Sequence, residues 1–324
     1  MNKRFALVLV TFILSVLITR AQPRVILDTD IGSDCDDAGA MAVLHKLSDK
    51  GEVDILGIIY SSGKIAEGVG VCDAINTYYN RPNLPIGQYK KNDVGDPITT
   101  YLPQIGRDTA RFKHNLINSA PSALETYKKI LRTQPDSSVT IITIGHPHVL
   151  LYLIKDEEGI SLIQAKVTKW IAMAHTQETP NVGWNFGRNG AANYVGKILK
   201  YWPQEVIFSG LGRDIITGNK KLPNTPKDNP VKEIYTLWNG AIQKGRPSWD
   251  QIAVLAAVRP QYFLFEKKGS LRQLEEGKTF WDVSLNNPKH SRVSLKIDKK
   301  EMESVIEELM SELPQNNERS FNPK

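Results

Sequence analysis

Cysteine is nearly missing from this sequence: Cys35 and Cys72 are the two present in 324 residues. Two thiols make at most one bridge, so no disulfide framework holds a chain of this size, and its stability has to come from a buried core. A dense Lys/Arg tract interleaved with aromatics is also missing, with aromatics at 8% and a formal charge of only +6. That balance does not suit a nucleic-acid-binding surface. Beyond residue 18 no apolar run is long enough to cross a bilayer. There is no internal repeat, low-complexity tract or linker, and residues 22–324 are expected to form one domain, a length that α/β folds accommodate as a single unit.

What is present begins with an export signal. Lys3 and Arg4 precede an apolar run over residues 5–18, and Thr19-Arg20-Ala21 follows. This is the pattern of a cleavable signal peptide over residues 1–21; an uncleaved anchor is the alternative. Cleavage removes Lys3, Arg4 and Arg20 and no acid, lowering the formal charge from +6 to +3. The mature chain is therefore expected to be secreted or periplasmic and free of the membrane. In that oxidising setting a Cys35–Cys72 bond is chemically allowed. Cys35 sits inside an acidic cluster and Cys72 in an expected helix, so free thiols are favoured.

Strand and helix signals alternate along most of the chain. Apolar runs at 25–27, 53–60, 139–144, 167–173 and 206–208 read as buried strands, and helical spacing is found over 37–47 and 66–79. Further on, 231–242 and 251–258 are expected as helices, 262–265 and 293–297 as strands, and 301–313 as an amphipathic terminal helix followed by a frayed tail. The pattern predicts an α/β fold: an open, mostly parallel, Rossmann-like sheet with helices on both faces. Two long loops, 88–120 and 175–188, are rich in Gly, Pro, Asn and charge; loops of that length in a compact domain usually carry function.

The first strand runs into Asp28-Thr-Asp30-Ile-Gly32-Ser-Asp34-Cys-Asp36-Asp37-Ala38, five aspartates within ten residues. In an open parallel sheet, ligands bind at the carboxyl ends of the strands. Carboxylates this crowded repel one another unless a cation compensates them. Calcium takes six to eight oxygens in irregular geometry, whereas magnesium demands a tighter octahedron. No histidine or cysteine pair stands nearby in sequence, which speaks against zinc. The bland reading is helix capping, since Asp36 and Asp37 fit a helix N-terminus. Capping uses one or two carboxylates, not five.

This segment resembles the signature of the inosine–uridine-preferring nucleoside hydrolases, Asp-x-Asp-x-Gly-x-Asp-Asp-Ala. Here Ser33-Asp34-Cys35 separates Gly32 from Asp36-Asp37-Ala38, a two-residue insertion of the kind found in a divergent branch. The resemblance implies that Asp30 is a metal ligand and the general base, that Asp36 binds ribose hydroxyls, and that Asp37 is a bidentate metal ligand. Asp34 has no counterpart. Thr140-Ile-Ile-Thr-Ile144-Gly145 is similar to the strand whose last residue, here Ile144, offers its backbone carbonyl to calcium. Trp184-Asn185-Phe186, followed by Asn189-Gly-Ala-Ala192, looks like a ribose-binding segment with Asn185 in contact with the sugar. Ser248-Trp249-Asp250 resembles a late His-Asp-Pro segment that places Asp250 as the last acidic metal ligand. These stretches keep the family's order from Val25 to Val254.

Departures accompany the matches. Gly183 stands where an acid is expected two residues before Asn185, and Trp249 where a histidine is expected before Asp250. Pro147-His148-Val149 replaces Leu-Thr-Asn, and Gly63-Lys64 replaces Gly-Asn. Taken with its departures, the resemblance implies calcium-dependent hydrolysis of the N-glycosidic bond of a nucleoside or related ribosyl compound, with Asp30 activating a water. The expected partner is a small molecule, with Trp184, Trp249 and Tyr60 as candidate stacking groups and His146, His148 and His175 as candidate proton donors. Relatives are often dimers or tetramers, and nothing in the sequence decides the subunit count. Two rivals remain: a non-catalytic calcium-dependent nucleoside- or sugar-binding protein, and a haloacid-dehalogenase-type phosphatase suggested by Leu27-Asp28-Thr29-Asp30.

Overall fold

Residues 24–29, alternating in the side they present, become the centre of the molecule because both of their faces are covered. The computed structural model describes residues 22–98 and 101–315; the expected signal peptide and the end of the expected tail lie outside them. In β1 (Arg24–Thr29), Val25 and Leu27 join one hydrophobic core and Ile26 the other. Such a strand reads as a continuous apolar run, as parallel strands covered on both faces do.

The remaining strands of the main sheet are β2 (Asp54–Tyr60), β3 (Ile86–Gln88), β4 (Val139–Thr143), β5 (Val167–Met173), β6 (Glu205–Ser209), β7 (Phe263–Glu266) and β8 (His290–Leu295). They lie in the order β3-β2-β1-β4-β5-β6-β8-β7, parallel throughout except that β7 runs antiparallel to β8. The order reverses direction between β1 and β4, which pair with Asp28 opposite Thr143. A crevice beyond that reversal is where such sheets bind ligands.

The helices that matter most for the site cover the face holding Val25 and Leu27. They are α1 (Asp36–Asp49), α2 (Gly68–Tyr78), α3 (Pro230–Leu237), α4 (Trp249–Val258) and α5 (Lys299–Ser311), with α1 packed on α4 and α5. Helices over 123–132, 149–155 and 192–201 cover the opposite face, where Trp170, Phe186 and Phe208 pack together.

The helix expected over 231–242 is not continuous. It stops at Leu237, and a short turn over Ala241–Lys244 follows. Asn239 and Gly240 adopt positive φ of 46° and 67°, which ends an α-helix. The break frees Trp238 to turn inward, where its indole donates to the Ser33 carbonyl at 2.7 Å. The last strand begins three residues before the expected 293. No helix among the described residues is long and apolar enough to cross a membrane.

Candidate functional site

Beyond the ends of β1, β4, β5 and β6 opens a cavity of about 1140 Å³, lined in part by Asp30, Asp34, Asp36, Asp37, Asp96 and Asp250. Ile144, Trp184, Asn185 and Trp249 line it too, so the residues assigned by resemblance to metal and sugar, with two of the three candidate stacking groups, face one space. Close backbone approach makes this convergence possible. A Cβ on Gly145 would stand 2.4 Å from the Asp30 nitrogen, and one on Gly212, whose φ is +133°, 2.5 Å from Trp249.

Capping does not account for the aspartates. The N-cap of α1 is Cys35, which makes no side-chain capping bond, while Asp36 and Asp37 occupy the first turn. The Asp37 carboxylate accepts instead from the Thr29 hydroxyl. The phosphatase-type nucleophile has no access: Asp28 is fully buried, accepts from the Tyr127 hydroxyl at 2.9 Å and does not line the cavity. Cys35 and Cys72 are free and buried.

The acids divide into two groups. Asp34, Asp36 and Asp250 bring carboxylate oxygens within 4.8 Å of one another. Arg246 bridges two of them, Nε to Asp36 and a terminal nitrogen to Asp34, each at 2.8 Å. Its guanidinium also lies 4.5 Å from the Trp238 ring centroid and 4.9 Å from that of Trp249. Asp36, assigned to ribose by resemblance, thus meets an arginine first.

On the other side Asp30, Asp96 and His146 offer ligand atoms that also lie within 4.8 Å of one another. Asp96 is fixed by donors from Asn189 and from the Trp184 indole, the latter at 3.2 Å. His146, fully buried, stands 3.3 Å from Asp30. A histidine therefore does stand beside the aspartates, brought there by the fold from 116 positions downstream of Asp30.

Electrostatics reports the crowding. Burial, then the charges of Asp96, Asp34 and Asp28, pushes the Asp30 carboxyl well above the usual carboxylate range. Asp250 rises for the same first reason, then through Asp36, Asp37, Asp34 and Asp30. Asp37 is raised by burial, then by Asp30 and Asp36, against the Thr29 bond. In Asp34, burial and Asp36 outweigh Arg246. Two buried oxygens, Asp30 Oδ2 and Asp250 Oδ1, have no hydrogen-bond partner among the described residues. Hard carboxylate oxygens, unpartnered and reluctant to ionise, fit a divalent cation. The Ile144 carbonyl accepts from the Asn185 side chain and keeps a second lone pair.

Of the candidate proton donors, His175 alone lines the cavity, its ring Nε2 3.0 Å from the Thr179 carbonyl. His146 lies behind Asp30, and His148 packs under Tyr89 and Tyr194. Tyr60 is fully buried and donates to the Ile65 carbonyl, away from the cavity. Trp184 is 44% exposed at the rim, and Trp249 stacks on Arg246. Sequence reasoning missed Asp96, Arg246 and Trp238. Asp96 carried the weak signal of an acid in a long Gly/Pro-rich loop, and Arg246 stood four residues before Asp250.

The sequence matches no protein-family model and no curated protein. Solved structures do match. The inosine–uridine preferring nucleoside hydrolase of Bacillus anthracis superposes with a TM-score of 0.66 at 12% identity, over 90% of this chain and 99% of that one. The chain has the nucleoside hydrolase fold. An inosine–guanosine nucleoside hydrolase matches with a TM-score of 0.64 at 13% identity, over 89% and 99% of the two chains. The type III effector XopQ, solved in complex with adenosine diphosphate ribose, matches at 0.63 and 11%, over 90% and 94%. At these identities the likeness to nucleoside hydrolases is one of fold, and the chemistry has to be argued from the site.

Proposed function

We propose that this protein is a calcium-dependent hydrolase of the N-glycosidic bond in nucleosides or a related ribosyl compound, a single domain working outside the cytoplasm. The observation that carries the reading is the pair of unpartnered buried oxygens on Asp30 and Asp250, facing one cavity although 220 positions apart in sequence. Asp30, Asp37, Asp250 and the Ile144 carbonyl would hold the ion. Bound there, calcium supplies Lewis-acid polarisation of a water and of ribose hydroxyls at neutral pH.

The chain's own groups do the rest. Asp30 takes the proton of the attacking water, and its burial makes it a stronger base than an exposed carboxylate. Asn185, held between the Ile144 carbonyl and the cavity, orients a sugar hydroxyl. Trp184 and Trp249 offer flat apolar faces to the base, and neither delivers a proton as an imidazole does. His175 is the one candidate histidine placed on the cavity wall to protonate a departing base.

One observation favours a second reading, a binding protein of the same fold without turnover. Arg246 occupies Asp36, and Gly183 supplies no acid. XopQ, of similar fold, was solved with adenosine diphosphate ribose bound. A reducing-sugar assay on a nucleoside panel separates the two. Release of free ribose that stops on chelation and returns with calcium is expected; calcium-dependent binding without release sinks the enzyme reading.

A further inference from the structure

The side of the cavity opposite Arg246 holds an arrangement that an all-oxygen calcium site does not need. His146 Nδ1 lies 3.1 Å from the backbone carbonyl of Asn185. A carbonyl only accepts, so Nδ1 carries the proton and Nε2 presents a lone pair. That lone pair faces Asp30 Oδ2 at 3.3 Å, and with no proton on either atom Oδ2 makes no hydrogen bond. The side-chain nitrogen of Asn189, whose shorter bond goes to Asp96, reaches Nε2 only at a long 3.5 Å. Two electron-rich atoms, both buried, thus face each other with no proton well placed between them.

The geometry points to a second cation of a different class. We propose that Asp30, Asp96 and His146 form a site for a zinc-class divalent ion, distinct from the oxygen-only set of Asp37, Asp250 and the Ile144 carbonyl and sharing only Asp30 with it. Ligands on a tetrahedral zinc, with bonds of about 2.1 Å, stand roughly 3.4 Å apart. Asp30 Oδ2 and His146 Nε2 already have that spacing, at 3.3 Å. Asp96 completes three protein ligands after a small closure from within 4.8 Å. Three ligands with an open fourth position are the pattern of catalytic rather than structural zinc.

The surroundings fit as well. A metal-bound imidazole almost always donates its other N–H to a carbonyl or carboxylate, as His146 does to Asn185, and a ligating carboxylate is itself held by donors. Trp184 and Asn189 hold Asp96 in this way. Imidazole nitrogen selects zinc-class ions over calcium, which prefers oxygen alone. The inference goes beyond the calcium-dependent reading and shares only Asp30 with it.

The test uses the mature wild-type protein, stripped with chelator, saturated with calcium and loaded with cobalt as a spectroscopic substitute for zinc. One strongly shifted, solvent-exchangeable proton is expected in the NMR spectrum, the Nδ1–H of one imidazole, and it should vanish in His146→Gln. In equilibrium dialysis against zinc, the same variant should bind zinc at least ~10-fold more weakly while its calcium affinity changes by less than ~2-fold. Cobalt bound without an imidazole signal overturns the proposal and leaves the calcium site standing. Unchanged zinc affinity in His146→Gln overturns it too. A protein that retains neither calcium nor zinc overturns both readings. The wild-type spectrum decides even if the variant folds poorly.

Discussion

Two groups of acids line one cavity, and the fold gives them different countercharges. Asp34 and Asp36 are bridged by Arg246, held against Trp238 and Trp249. Among the described residues, neither Asp30 nor Asp96 has a lysine or arginine within ion-pair distance, and the imidazole beside Asp30, His146, is kept by burial below its ordinary basicity. One side has its countercharge built in; on the proposed function the other recruits it from solution. On that reading, the difference separates what folds the site from what runs it. A built-in arginine is present in every molecule, whereas a recruited cation depends on conditions and can be exchanged.

Removing an acid from the recruiting side tests this most strongly. Asp30→Asn should cut ribose release by ~100- to 10 000-fold, the usual worth of a general base. The calcium-free variant should unfold at the same denaturant concentration as the wild type or a higher one, because one repelling carboxyl is gone. Loss of stability in chelator would mean that Asp30 has an internal countercharge after all.

On the built-in side the signs reverse. Arg246→Met leaves buried Asp36 and part-buried Asp34 without that partner, and breaking a buried pair from one side costs about 3–5 kcal/mol. Urea unfolding in chelator measures the loss, and calcium should restore part of it by occupying the freed carboxylates. A variant as stable as wild type without metal would erase the distinction between the two sides.

Much of this arrangement was legible in the residues, and the part that was not has a physical explanation. The run ending at Asp30 and the aspartates after it marked a strand end because apolar alternation stops where the charge begins, and β4 through Ile144 gave the same signal. Asp250 was legible only through resemblance, since nothing local in Ser248-Trp249-Asp250 tells that it will meet Asp30. Asp96, Arg246 and Trp238 were hidden for another reason. Their roles arise from contacts between segments 88 to 212 positions apart, which no periodicity encodes. The continuous helix expected over 231–242 failed at Asn239-Gly240, where apolar spacing continues but the backbone turns left-handed to deliver Trp238.

Asp28 sharpens the comparison as a third solution, a buried acid with neither arginine nor open cavity. Burial, opposed by hydrogen bonds from Ser61 and Tyr127, raises its pKa from 3.8 to about 7. The folded protein keeps this proton where the unfolded chain has lost it. Its contribution is therefore whole below about pH 4, declines as pH rises and is gone above about 7. Asp28→Asn should match the wild type in stability at pH 4 and exceed it at pH 8 by on the order of 2–4 kcal/mol. A gain that does not change with pH would show that Asp28 is ionised in the folded state.

The smallest expected effect concerns the support behind the recruiting side. Trp184→Phe keeps a ring at the rim but removes the indole N–H that holds Asp96 at 3.2 Å. A single hydrogen bond of this kind is worth about 1 kcal/mol, so binding of a ribosyl ligand should weaken by ~5-fold with little change in thermal stability. The rim is exposed and Asn189 still holds Asp96, which limits the loss. If the variant instead lost as much as Asp30→Asn, Asp96 would belong to the catalytic step rather than to the frame around it. The recruiting side would then extend outward as far as the indole itself.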